Sequence, residues 1–447
     1  MSIIIGIVNV IPRSEHNLSR RDISDNALKV LYRLKDAGYH ACLVGGGVRD
    51  LLLGLEPKDF DVATDATPEE VRRVFRNCRL IGRRFRLAHV HFGHDIIEVA
   101  TFRGSHQGTE GDDKVASVDD ENGRILRDNV FGTIEEDAIR RDFTVNALYY
   151  DIDDYALLDY ATGLDDLRNG VLRLIGDAET RYREDPVRML RAARFAVKLG
   201  FTIHDDCAEP IHRLANLLED ISPARLFEEV LKLFQGGKAL QSFEMLRHYG
   251  LFNYLFPLTE AVLAHEEEHF PITLVASALE NTDKRISIGK PVSPAFLFAA
   301  LLWESVRHRA DALLKSEEAT SEIQAMQRAG GEVASLQAQH TSIPKRYSMP
   351  MREIWSLQPR FSQRSGRRAA RLHEHPRFRA AYDLLLLRAK SGEVEASLAD
   401  WWTRYQEVGE KERQEMVQKV GGEGGKKKRR RRRKRPAAKK SNTEVDG

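Results

Sequence analysis

The sequence predicts an α+β chain, with a small N-terminal head of mixed strands and helices followed by all-helical regions. Three observations carry this reading. Short apolar runs alternate with helical stretches and glycine turns up to about residue 150. From about residue 165 to about residue 420 the apolar spacing is helical. A length of 447 residues, 42% of them hydrophobic, permits two to four domains with a sizeable core.

In order along the chain, residues 1–24 read as a loosely ordered arm. Residues 26–37 carry Leu28, Leu31 and Leu34 at helical spacing, with Gly38 as the stop. Ala41–Val44 suits a strand, and a glycine turn leads into a helix over Val48–Leu53. Phe60–Ala63 reads as the next strand, and Pro68 opens a helix through Phe75. Residues 86–92 and 95–102 read as paired strands around Gly93-His94. Residues 104–124 are polar, glycine-rich and acidic, and read as a mobile loop, spacer or flap, with a turn at Asn122-Gly123. In the helical part, Met189, Ala192, Ala193 and Ala196 form a packing face, with Arg188, Arg191 and Arg194 largely off it. Gly421–Gly425 reads as a flexible joint. The divisions expected are 1–24, 25–163, 164–285, 286–420 and a disordered basic tail, 421–447.

The formal net charge of +2 conceals an asymmetry. Every residue from Lys426 to Arg435 is basic, and without residues 426–447 the chain holds 57 basic against 65 acidic residues. An acidic body with such an arm points to a polyanionic partner. Three cysteines (Cys42, Cys78 and Cys207) without CxxC spacing fit a reducing compartment. The apolar run Ile3–Val10 is too short to span a membrane, and no later run approaches about 18 apolar residues, so a cytoplasmic protein is expected.

The chemistry concentrates around Gly45-Gly46-Gly47-Val48-Arg49-Asp50 and Asp59-Phe60-Asp61. Alternation along a strand turns Asp59 and Asp61 to one face. Two such carboxylates can hold hard divalent cations, and the glycines let backbone approach a polyphosphate. An isolated DxD is usually a solvated surface pair; the glycine turn ahead of it raises the metal reading. Glu98, an acid in an apolar strand, is either a further carboxylate near the metals or an acid paired with Arg103 or Arg86. Arg140, Arg141 and Asp142 read as phosphate-binding and metal-facing groups, or as a structural Arg–Asp pair. Asp185 and Arg188, beside Pro186, read as a pair on one helix face that hydrogen-bonds a base edge, or as an intrahelical ion pair.

The segments VGGGVRDLLLG, DFDVAT, IEVATFRG, RRDFTVNALYY and YREDPVRMLRAARF follow the order and spacing of the class II nucleotidyltransferases. NCRLIGRRFRLAHVHFG, SPARLFEEVLKL, SPAFLFAALLW and HPRFRAAYDLLLLRA resemble the bacterial poly(A) polymerases within that superfamily. The resemblance covers most of residues 20–410. It implies a five-stranded mixed-sheet nucleotidyltransferase head, then helical neck, body and tail regions. It implies ATP as substrate and two Mg²⁺ ions, with Mn²⁺ also suitable, at Asp59 and Asp61. Asp142 matches an active-site position, and Glu98 competes with it as third carboxylate. Gly45, Gly46, Arg49, Arg140, Arg141 and Asn146 match the nucleotide pocket. Asp185 and Arg188 match the base-selecting pair, with Arg191, Arg225 and Glu229 supporting it. The implied activity is AMP addition to single-stranded RNA 3′ ends, by a monomer that meets RNA-decay proteins. The alternatives are a tRNA CCA-adding enzyme and a non-catalytic RNA-binding adapter.

Residues 344–382 mix cations and aromatics, among them Lys345, Arg346, Tyr347, Trp355, Phe361, Arg367, Arg368 and Arg371. They suit RNA binding by charge and stacking, or a basic solvated face over an aromatic core. Lys426 and Arg430 stand for a tail that adds salt-sensitive RNA affinity, or that binds anionic lipid. His265-Glu266-Glu267-Glu268-His269 matches a zinc-protease pattern by letter, but Pro271 follows at once and no other site lies near it in sequence.

Overall fold

A computed structural model describes residues 8–82, 86–104, 117–119, 125–128, 130–266 and 274–423. The head is built on strands β1 (Asn9–Ile11), β2 (Ala41–Val44), β3 (Asp61–Thr64), β4 (Cys78–Ile81), β5 (Leu87–Phe92) and β6 (Asp95–Thr101). Strands β7 (Ser117–Asp119) and β8 (Ile125–Asp128) form a separate pair, and β9 (Leu148–Asp151) and β10 (Leu157–Asp159) return to the main sheet. That sheet has the order β1-β10-β9-β2-β3-β6-β5-β4, eight strands where five were expected. Within it only β3 and β6 run parallel, so the sheet is mixed.

Helix α1 (Asp25–Asp36) starts where the Ser24 hydroxyl accepts from the Ala27 N–H, and it buries Ala27, Val30, Leu31 and Leu34. Helix α2 (Gly46–Leu52) follows β2 directly. Helix α3 (Pro68–Val74) opens with a capping box: Thr67 and Glu70 satisfy each other's backbone N–H. The arm proves partly ordered, because β1 pairs with β10 and Ile11 is buried beneath it. Three-residue strands are too short to show alternation, which explains why β1 and β10 left no sequence signal. The polar loop likewise contains β7, which pairs with β8 just beyond it, since backbone pairing needs no apolar face; residues 105–116 and 120–124, with the expected turn at Asn122-Gly123, lie outside the described residues.

Helices α4 (Ile134–Arg140) and α5 (Gly163–Asn169) complete the head. The neck holds α6 (Ala178–Glu184), α7 (Val187–Leu199), α8 (Asp205–Leu214) and α9 (Pro223–Phe234). Strands β11 (Val171–Leu172) and β12 (Thr202–Ile203) pair across it. Helical structure then continues to Glu423, so the last helix, Glu410–Glu423, runs into the expected joint at Gly421–Gly425, the rest of which lies outside the described residues. One continuous apolar core joins head and helices. Trp303, Trp355 and Trp402 are fully buried, and each indole N–H finds an acceptor.

Candidate active site

Register builds the site. Val44 of β2 lies opposite Asp61 of β3, Asp61 opposite Glu98 of β6, and Glu98 opposite His89 of β5. Directly opposed residues share a sheet face, so Asp61, Glu98 and His89 project together. Asp59 is exposed and precedes the strand, which begins at Asp61 rather than at Phe60. At the end of β2, Gly45 adopts φ +75°, a conformation that favours glycine. A Cβ there would sit 3.4 Å from the Arg141 guanidinium and 4.0 Å from the Asp61 carboxylate. The glycine turn, Arg141 and Asp61 therefore face one another.

Among the described residues no group hydrogen-bonds the Asp61 carboxylate. Burial, with Glu98 next in weight and Asp59 adding to it, raises its pKa to about 6; Arg141 acts against this. Three neighbouring carboxylates, Asp59, Asp61 and Glu98, are a fitting donor set for hard divalent cations. Glu98 does not pair with Arg86, which is bonded to Glu69 at 2.7 Å; its partner is His89, Nε2 to Oε2, at 3.2 Å.

Asp142 has different neighbours. Its carboxylate accepts from the Arg191 Nε at 2.7 Å, from the Asn146 amide at 3.2 Å and from its own neighbour, the Phe143 N–H, at 2.8 Å. Burial alone would raise its pKa, but the Arg191 charge and these bonds hold it below the usual value. Asn146 passes the chain of bonds on to Arg49, whose Nη1 donates to the Asn146 Oδ1 at 2.5 Å. Arg49 also donates twice to Asp50, which Lys198 of α7 reaches at 3.1 Å. Arg49 is 2% exposed, so it braces the glycine turn from behind. The network thus ties α2, the 142–146 segment and α7 into one unit.

Arg141 donates from Nε to the Tyr149 hydroxyl at 2.8 Å and from Nη2 to Asp137 at 3.1 Å, and that hydroxyl donates to Asp137 at 2.6 Å. Arg140 donates to the Gly104 carbonyl at 2.8 Å. Burial, then the charges of Arg103 and Arg181, lower its pKa to about 10. Arginines pressed together in this way create a local positive potential.

The expected pair at 185 and 188 is arranged differently. Asp185 has extended backbone between α6 and α7, so it does not share a helix face with Arg188. Pro186 breaks the helix there. Asp185 accepts from Arg225 of α9 at 2.7 Å, while Arg188 donates to Glu184 at 2.8 Å and to the Arg181 carbonyl. Glu229 is buried, accepts from Lys232 at 2.7 Å and acts by charge on Arg191 and Arg194. His89, Asp137, Tyr149, Arg181 and Lys198 were not singled out from sequence. Only His89 left a signal, as an alternate position in a strand next to Glu98.

In the helical region, Lys345, Arg346, Arg367, Arg368 and Arg371 are exposed, with no acidic partner among the described residues. Of the aromatics, Trp355 and Phe361 are buried, whereas the half-buried Tyr347 stacks on Phe227 and carries the Arg346 guanidinium 4.8 Å from its ring centre. Lys426, Arg430 and the His265–His269 pattern's side chains lie outside what the structure describes.

A mixed sheet with carboxylates beside a glycine turn, backed by a helical neck, defines a nucleotidyltransferase head. Comparison with known proteins narrows the class. Residues 41–173 match the family "Poly A polymerase head domain", residues 200–263 "Probable RNA and SrmB-binding site of polymerase A", and residues 318–436 "Polymerase A arginine-rich C-terminus". The chain is 53% identical over 416 residues to poly(A) polymerase I of Salmonella typhimurium, covering 92% of this chain and 89% of that protein. It is 36% identical over 234 residues to the CC-adding tRNA nucleotidyltransferase of Halalkalibacterium halodurans, covering 52% and 55%. Among solved structures it is similar to the Bacillus stearothermophilus CCA-adding enzyme in complex with CTP, with a TM-score of 0.56, 25% identity, and coverage of 86% and 82%. The chain belongs to the bacterial poly(A) polymerase I family.

Proposed function

We infer that this chain is a polynucleotide adenylyltransferase that adds AMP from ATP to RNA 3′ ends and releases pyrophosphate. The observation that carries the reading is the shared face of Asp61, Glu98 and the Gly45 turn, in a chain 53% identical to a poly(A) polymerase I over nearly its whole length. Asp59, Asp61 and Glu98 hold two divalent cations, Mg²⁺ or Mn²⁺. The chemistry supplied there is a lowered pKa at the RNA 3′ hydroxyl and charge neutralisation on the leaving pyrophosphate. Gly45 and Gly46 admit the triphosphate, and Arg140 and Arg141 bind its oxygens. Asp142 orients Arg191 and Asn146 from beneath the pocket. Arg225 fixes Asp185 so that it, with Arg188, reads the edge of the incoming base.

The exposed cations at 345–371 and the tail, including Lys426 and Arg430, guide single-stranded RNA toward the head. The chain divides further at 163/164 and 285/286; the arm belongs to the head through β1, and the basic tail follows the last helix after Glu423. No helix among the described residues is long and apolar enough to cross a membrane. The reading extends to a cytoplasmic monomer acting in mRNA processing alongside RNA-decay proteins.

The test is extension of a 5′-labelled single-stranded RNA with Mg²⁺ and each nucleoside triphosphate separately. Long ladders with ATP and little product with CTP are expected. Short CTP-dependent addition to tRNA ends would move the chain to the CCA-adding class. RNA binding with no extension would make it an adapter.

A further inference from the structure

On the sheet face that carries Asp61, further along β2, a second group of donors converges. Cys42 lies directly opposite Asp151 of β9, so their side chains share a face. His40 is two residues before Cys42 and projects to the same side. The His40 Nε2 lies 2.9 Å from the Asp151 Oδ2 and 3.6 Å from the Cys42 Sγ, and all three donor atoms fall within 4.8 Å of one another. These separations approach the roughly 3.3–3.6 Å between ligands in a tetrahedral shell with metal–ligand bonds of about 2.0–2.3 Å.

The donors are held in place. The His40 N–H donates to Asp65 at 2.9 Å, the His40 carbonyl accepts from the Thr64 hydroxyl at 2.7 Å, and the ring sits edge-on to Phe102. The second Asp151 oxygen accepts from the Asp153 N–H at 2.8 Å. Cys42 is fully buried, while the His40 side chain is 36% exposed and leaves a way in. The surroundings are acidic: Asp65, Asp153 and Asp154 act on the cluster, and Lys35 is paired with Asp153 at 2.7 Å. One ring nitrogen directed at both a thiol and a carboxylate is an arrangement in which a metal ion can take the place of protons.

We propose that His40, Cys42 and Asp151 form a binding site for one Zn²⁺-class cation, separate from the carboxylates of the active site. A sulfur and an imidazole nitrogen beside one carboxylate suit a borderline-soft ion and disfavour Mg²⁺. Water completes the shell. On binding, the Cys42 S–H bond is replaced by S–Zn and its proton leaves to solvent; a His40 protonated on both nitrogens releases the Nε2 proton as well. Binding therefore strengthens as pH rises. The ion would pin β2 to β9 below the glycine turn, stabilising the fold without taking part in nucleotide transfer.

The test uses the full chain, reduced, with excess Mg²⁺ to occupy the catalytic carboxylates. Zn²⁺ uptake is followed against a chromophoric chelator, and Co²⁺ replaces Zn²⁺ for spectroscopy. About one ion per chain is expected, with a thiolate-to-cobalt charge-transfer band and a rise in Tm on Zn²⁺ addition. Cys42→Ala and Asp151→Asn should abolish the uptake, while Asp61→Asn retains it. A readout without substitutions guards against misfolded variants: Zn²⁺ should slow alkylation of Cys42, located by mass spectrometry, and leave Cys78 unaffected. The proposal fails if no ion is taken up, which leaves only a His–Asp ion pair beside a thiol. It also fails if uptake survives Cys42→Ala and is lost in Asp61→Asn, which places the ion at the catalytic carboxylates.

Discussion

Asp142 and Glu98 are the same kind of side chain with opposite surroundings. Asp142 is encircled by donors, whereas Glu98 lies beside Asp61 with a single histidine partner. Glu98→Gln should therefore lower kcat by about a hundredfold or more, with a raised Mg²⁺ requirement, as expected when a metal-facing charge is removed. Asp142→Asn should instead cost about 2–3 kcal/mol in urea unfolding; this is less than a fully buried pair, because Arg191 is 31% exposed. The reverse pattern would exchange their roles. Asp61 supplies a pH prediction. Its folded pKa, raised from 3.8 to about 6, means that folding disfavours its ionised form. The group is neutral in its effect below about pH 4, and the metal-free protein loses stability as pH rises from about 4 to about 6. Asp61→Asn in chelator should raise Tm at pH 7 and leave it unchanged at pH 4. An equal effect at both values would contradict the burial argument.

At the scale of elements, the site depends on how β2 ends. Gly45 turns the chain with positive φ and brings it against Arg141 and Asp61. Gly45→Ala should cost about 1–3 kcal/mol in backbone strain, because φ 75° with ψ −134° is a conformation other residues scarcely adopt. It should also raise KM for ATP about tenfold, equivalent to about 1.4 kcal/mol. Thermal unfolding and steady-state kinetics read the two effects separately, and an unchanged KM would remove the turn from the nucleotide site. The break between α6 and α7 is equally local: Pro186 ends one helix and releases Asp185 toward α9.

Across the whole molecule, Arg225 of α9 reaches Asp185 from 40 residues away. Arg225→Ala should lower the ratio of ATP to CTP incorporation while metal binding stays unchanged, since the carboxylate would lose its fixed direction. The acidic body and basic tail make a second prediction. Truncation after Glu423 should weaken RNA binding and flatten its salt dependence, by about 0.7 in the log–log slope for each phosphate that the tail neutralises. An unchanged slope would mean that the exposed cations at 345–371 supply the RNA affinity.

The sequence by itself determined the α+β division, the strand of Asp61, the glycine turn, the helix of Pro68 and the family, because each rests on local periodicity or on a run of specific residues. It could not determine eight strands rather than five, since three-residue strands such as β1 carry no periodic pattern. Nor could it determine that Trp355 and Phe361 pack inside while their neighbouring cations stay outside. It left Asp142 and Glu98 equal as third carboxylate; only the fold shows how their surroundings differ, because partners such as Arg191 and His89 come from other elements. The grouping of His40 and Cys42 with Asp151 depends on strand register across more than a hundred residues, which only the folded sheet provides.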